Sequence, residues 1–199
     1  MRRLTPFARH LLATAAFVAW PLLTLPSALG ADSDQSEAKK YEAESDALVA
    51  KNDFKGAEIE LKNAVKAAPN DPNLRLKLAT LELRINDVDG AQIELKAARE
   101  HGADEAKLVP LLARTYLVQG KYDQLLQDFQ VHDDDSAAAK AATLVARANA
   151  QLQLKKIDDA HASLVAAGQL TPQSATPKLD LARIALAQHQ LDDALAKTD

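Results

Sequence analysis

The nine residues GAEIELKNA that begin at Gly56 return as GAQIELKAA at Gly90, 34 positions later. Self-similarity at this spacing constrains the fold more than any other feature. A unit of this length is one supersecondary element, and such units stack on copies of themselves because none buries its apolar face alone. Within each copy the packing residues fall at i, i+4 and i+7, one stripe of a helix: Ala57, Leu61, Ala64, then Ala91, Leu95, Ala98. An Ala/Leu-rich helix shows such a stripe by chance. It does not restart it at 57, 91, 125, 160 and 194. One extra residue is needed between the third and fourth copies, and VHDDDSA (131–137) accommodates it.

Composition agrees with a helical unit. The chain is 47% hydrophobic and only 4% aromatic. Ala and Leu dominate, and strand-type runs of Val, Ile, Thr and Tyr are missing, so the expectation is all-α. Punctuation sets the boundaries. APNDPN (68–73) stops one helix and caps the next, HGAD (101–104) carries Gly102 as a left-handed C-cap, and LTPQSATP (170–177) closes the fourth copy. Helices are expected near 37–51, 54–67, 72–85, 88–100, 105–119, 122–131, 136–154, 157–169, 175–188 and 191–199.

The pattern of a bulky then a small residue on the first helix, and small–large–small on the second, resembles the tetratricopeptide repeat (TPR). The first copy reads Tyr41, Ser45, Phe54, Ala57, Leu61, Ala64, Pro69, and the fourth Ala148, Ile157, Ala160, Leu164, Ala167, Pro172. The resemblance implies a right-handed α-solenoid with units at 37–71, 72–105, 106–139 (degenerate), 140–174 and 175–199 (incomplete). The last unit stops after LDDALAKTD, which reads as a fragment of a longer array. KLVPLLARTYLVQGKYDQLLQDF (107–129) and GAEIELKNAVKAAPND (56–71) also resemble the large TPR proteins of bacterial PEP-CTERM/exosortase systems, the PrsT type. That resemblance implies an envelope protein tied to exopolysaccharide production or surface-protein sorting. Members of that type are usually longer and often look like lipoproteins.

Residues 1–30 carry their own signal. Arg2, Arg3, Arg9 and His10 precede an apolar stretch from Leu11 to Trp20, and PSALGA then offers small residues for cleavage before Ala31. This is the pattern of a secretory signal peptide, followed by a polar tether at 31–36. Pro21 interrupts the apolar stretch, which argues against a retained membrane anchor. The mature chain is therefore expected in the periplasm or cell envelope. Removing residues 1–30 takes away three arginines and no acids, so the formal charge moves from −4 to −7. An acidic chain is a poor nucleic-acid binder. With no cysteine, disulfides, thiolate chemistry, cysteine metal sites and a lipoprotein anchor are excluded.

No catalytic motif and no phosphate-binding loop is present, so neither an enzyme nor a cofactor is expected. His132-Asp133-Asp134-Asp135 is the densest ligand-type group, but it lacks the Gly-bearing calcium pattern and reads as a helix-capping loop. The surface left for function is the concave face, where first helices of successive units line a groove. By frame its side chains are Arg84, Arg114, Asn149, Arg183, Thr80, Asn73 and Lys107. Leu76, Leu117 and Leu186 join them, and Lys39, Glu42 and Asp46 make the first unit's share largely acidic. Glu42 and Asp46 stand where chaperone-binding TPRs carry a Lys/Asn carboxylate clamp, which argues against that partner class. The groove reads as a site for an extended, partly acidic protein or peptide, with polysaccharide assembly machinery the wider partner. A polysaccharide-binding module is the alternative, disfavoured because Tyr41, Phe54, Tyr116, Tyr122 and Phe129 sit mostly at packing positions.

Overall fold

The computed structural model describes residues 28–196. The expected signal segment lies, for residues 1–27, outside the described residues. Among the described residues there are nine α-helices and no strand: α1 (Ala28–Ala50), α2 (Phe54–Ala67), α3 (Pro72–Arg84), α4 (Val88–Glu100), α5 (Glu105–Val118), α6 (Tyr122–Asp128), α7 (Ala137–Gln153), α8 (Ile157–Leu170) and α9 (Ala175–Ala196). Each of α1, α3 and α7 packs on the helix that follows it, and the pairs stack in chain order into an all-α solenoid. None of these helices is long and apolar enough to cross a membrane.

Small residues make the pairs close. Ser45, Ala79, Ala113 and Ala148 on the first helices are buried, as are Ala57, Ala91 and Ala160 on the second. Backbones approach so tightly that Ser45 Oγ donates to the Ala57 carbonyl at 3.0 Å. Large residues then fill the gap to the neighbouring pair: Leu61, Leu78, Leu95, Leu108, Leu125 and Leu164 are fully buried. Each is a site where truncation to Ala costs roughly 2–5 kcal/mol.

The turn inside each pair needs one residue with positive φ. Asn52 (61°), Asn86 (65°), Gly120 (69°) and Lys155 (60°) occupy that same place in four successive units. The next residue caps the second helix. Asp53 and Asp87 accept from the backbone N–H of Gly56 and Gly90, each at 3.0 Å. A Cβ on either glycine would come within 2.6 or 2.5 Å of the capping carboxylate. The glycine that opens both copies of the nine-residue repeat is therefore dictated by the cap beneath it. Lys121 and Lys156 take the capping position in the third and fourth units and provide no side-chain cap.

Three expectations change. The first helix starts at Ala28, so the segment 31–36, expected as a tether, is helical; it holds no proline or glycine to stop the helix. The second helix of the third unit ends at Asp128 instead of 131. The fifth unit lacks its turn: α9 runs unbroken through AQHQ (187–190). There the positive-φ position falls on His189, not Asn or Gly, and the capping position on Gln190, not Asp, although the fourth unit turns on Lys155 and Lys156 without those types either.

The third unit is irregular. Short α6 leaves its last carbonyls without backbone partners; the Gln130 amide donates to those of Leu126 and Gln127, and α5 packs more extensively on α7 than on α6. Arg147 of α7 repairs the end: one guanidinium nitrogen, Nη1, donates to the carbonyls of Leu126 and Phe129, both at 2.8 Å. Tyr116 meets Phe129 edge-to-face at 5.4 Å and donates its hydroxyl to Asp128 at 2.8 Å.

Candidate functional site

Residues 46, 80, 114, 149 and 183 hold the same place on the five successive first helices, so the repeat lines up Asp46, Thr80, Arg114, Asn149 and Arg183 as one row. Its two halves differ. In the first half the polar groups are already satisfied. Lys77 of α3 reaches back to α1 and donates to Glu42 Oε1 and Asp46 Oδ2, both at 2.8 Å. Burial alone would lower the Lys77 pKa, but the hydrogen bonds to Asp46 and Glu42 hold it above the usual lysine value. Thr80 donates to the Leu76 carbonyl of its own helix. Both acids of the first unit's share, Glu42 and Asp46, are thus paired with one internal ammonium.

In the second half the row opens onto a hollow of about 610 Å³ between α5, α7 and the start of α9. Its walls are small and apolar, among them Pro110, Ala113, Leu117, Ala142, Val145 and Pro177. Arg114, Asn149 and Arg183 all reach it. Arg114 is exposed, Asn149 is half-buried, and among the described residues neither has a hydrogen-bond or ion-pair partner. Arg183 is exposed and pairs only with Asp180 of its own helix, at 3.2 Å.

The other expected groove residues lie elsewhere. Arg84 stacks over the Phe54 ring, 4.2 Å from its centroid, and does not line the hollow. Leu76 is buried in the core shared by units two to four, covered by the next unit. Asn73 and Lys107 are exposed outside the hollow, and so is Leu186; Lys39 is exposed at the far end of the stack. Lys77 was missed because its importance comes from a contact 31 and 35 residues away in sequence. The His132–Asp135 loop closes on itself: the His132 N–H donates to Asp135, and Ser136 caps α7.

The fold is an all-α solenoid of stacked helix pairs, and comparison with known proteins agrees. Residues 48–114 match the tetratricopeptide repeat model. Among solved structures the chain is similar to MamA (residues 41 to end) of Desulfovibrio magneticus RS-1, with a TM-score of 0.58 and 14% identity over 80% of this chain and 90% of that one. It is similar to PilF of Pseudomonas aeruginosa, with a TM-score of 0.58 and 16% identity over 81% and 72%. Both likenesses concern the fold. No curated protein sequence matches the chain significantly. TPR stacks are as a class non-catalytic scaffolds that present extended concave surfaces to protein partners.

A second polar row runs between the two helices of units two to four. Tyr116 donates to Asp128 in unit three, and Ser163 donates to Gln151 at 2.9 Å in unit four. Burial, then the bond to Asp128, raises the Tyr116 pKa. In unit two the equivalent residues are two acids, Glu82 and Glu94. Glu94 is held by Arg75 at 2.7 Å. Glu82, 2% exposed, has one carboxylate oxygen, Oε2, with no hydrogen-bond partner. Burial, then the neighbouring charge of Glu94, pushes its pKa up to about 7, against a smaller lowering by Lys62.

Proposed function

We propose that this chain is a non-enzymatic scaffold of the bacterial cell envelope that holds an extended protein or peptide segment in the hollow of units three to five. One observation carries the reading. The repeat brings Arg114, Asn149 and Arg183 onto one apolar hollow, while the equivalent row in units one and two is closed by Lys77 and Thr80. An apolar side chain beside a carboxylate suits these walls. The signal-type pattern of residues 1–30 supports export, and the resemblance of 107–129 to PEP-CTERM-system TPR proteins supports a role in exopolysaccharide production or surface-protein sorting. The polysaccharide-binding alternative is weaker. Tyr116 and Phe129 are spent on each other, Phe54 on Arg84, and the Tyr41 hydroxyl on Glu37.

Charge reversal tests the site. Arg114→Glu together with Arg183→Glu should abolish capture of the envelope partner identified by mass spectrometry, with helicity unchanged. Arg84→Glu should leave capture intact. Capture that survives the first pair, or is lost only with Arg84→Glu, overturns this placement. Fractionation of cells expressing the full chain checks export separately, since cytoplasmic retention would refute the envelope reading alone.

A further inference from the structure

The unmatched Glu82 sits where three helical segments meet. Glu58 comes from α2, Glu82 from α3, and Asp87 is the cap of α4. One carboxylate oxygen from each lies within 4.8 Å of the other two. Acidic clusters are common on helical surfaces, so the cluster alone says little. The buried oxygen says more. In units three and four the residue equivalent to Glu82 finds a hydrogen-bond partner on the second helix. Here that partner is an acid already committed to Arg75, so Glu82 Oε2 is left buried and unsatisfied. A buried carboxylate oxygen in this state costs stability until something positive or protic reaches it. Among the described residues the ammonium paired with this cluster, Lys62, is bound to Glu58 and stays 3.9 Å from Glu82 Oε1. It neutralises the rim and does not reach the orphaned oxygen.

We propose that Glu58, Glu82 and Asp87 form a site for a hard divalent cation of calcium size. Ca²⁺ accepts carboxylate oxygens in flexible geometry with water completing its shell, whereas Mg²⁺ demands near-ideal octahedral geometry and dehydrates reluctantly, so three carboxylates from three helical segments suit the larger ion. Asp87 keeps its cap, because Oδ1 serves Gly90 and Oδ2 remains for the ion. The half-exposed Lys62 swings to solvent as the ion enters, so it competes with binding. Three carboxylates completed by water make a weak site, with Kd on the order of 10⁻⁴–10⁻³ M. Its ligands come from both units, so the ion fastens unit one to unit two.

The test uses the full chain after dialysis against chelator, with CaCl2, MgCl2 and NaCl compared at matched ionic strength. At 10 mM, Ca²⁺ should raise Tm by about 3–10 °C over NaCl, Mg²⁺ by clearly less, with a matching calorimetric isotherm. Glu82→Gln and Asp87→Asn should each lose the Ca²⁺-specific shift while remaining folded, Asn being a good helix cap. Lys62→Gln should tighten binding several-fold. The proposal is overturned if Ca²⁺ gives no shift beyond NaCl, which would leave a proton as the sole partner of Glu82. It is equally overturned if Glu82→Gln keeps the shift or if Lys62→Gln weakens binding.

Discussion

At the scale of single residues, the repeat is a set of forced choices. Gly56 and Gly90 lie in the first turn of helices, where Ala would ordinarily be better by about 1 kcal/mol. They are glycine because Asp53 and Asp87 lean over them to cap the helix. Gly56→Ala alone should therefore bring no stabilisation, since the gain in propensity is offset by loss of a cap worth about 1 kcal/mol. In an Asp53→Ala background the same change should stabilise by about 1 kcal/mol, and a urea-denaturation double-mutant cycle reads this coupling. Glu82 gives a second test, in cation-free buffer. Its pKa is raised from 4.5 to about 7 in the folded state, so between these values the folded chain binds more protons than the unfolded one. Its unfavourable contribution is absent below about pH 4.5, grows as pH rises, and is complete above about pH 7. Glu82→Gln, which puts at 82 the residue type that unit four carries at 151, should be near neutral at pH 4. By pH 8 it should stabilise by on the order of 2 kcal/mol. A difference that does not change with pH would show that Glu82 is not the titrating group.

At the scale of elements, the helix limits of units one and two follow from local chemistry, Asn at the positive-φ place and Asp as cap, whereas units three and four turn on Gly120–Lys121 and Lys155–Lys156 without a side-chain cap. The frame fails in the fifth unit. AQHQ occupies the right position for a turn, and α9 continues through it. The site was legible to the same degree. The row of 80, 114, 149 and 183 comes directly from the period, but which of its members are available depends on side chains of other helices. Lys77 closes one end, Phe54 removes Arg84, and unit three covers Leu76. Arg147 was invisible for the same reason, since its partners are carbonyls 18 and 21 residues earlier. Arg147→Ala should cost about 1–3 kcal/mol by leaving two carbonyls without their charged donor. Hydrogen exchange should show the loss first in α6. Uniform loosening of all units would mean that Arg147 acts through packing and not through the helix end.

For the whole molecule, stability in a stack of repeats is close to a sum over units and the interfaces between neighbours. Two repeat positions record how that sum changes along the chain. Leu76 and Leu83 of α3 are 7% and 5% exposed beneath the following unit. Their equivalents two units on, Val145 and Leu152, are half-buried, and those of α9, Leu179 and Leu186, are 59% and 60% exposed. The main core likewise runs from Leu76 to Ala150 and joins units two to four, whereas Ile184 of α9 belongs to a smaller cluster with Ala148, Ala160 and Leu164. A unit with less covered apolar surface opens at lower free energy, independently of units several places away. Amide protection should therefore be highest across α3 to α5 and decline through α8 to lowest in α9. The Arg114→Glu and Arg183→Glu changes, which touch exposed charges only, should not alter this profile. If a partner fills the hollow of units three to five, it bridges α5, α7 and the start of α9, and its binding should raise protection in α9 more than in α3. Equal protection of α3 and α9 in the free monomer would show that the stack unfolds as one cooperative body and that burial at these positions does not govern local stability.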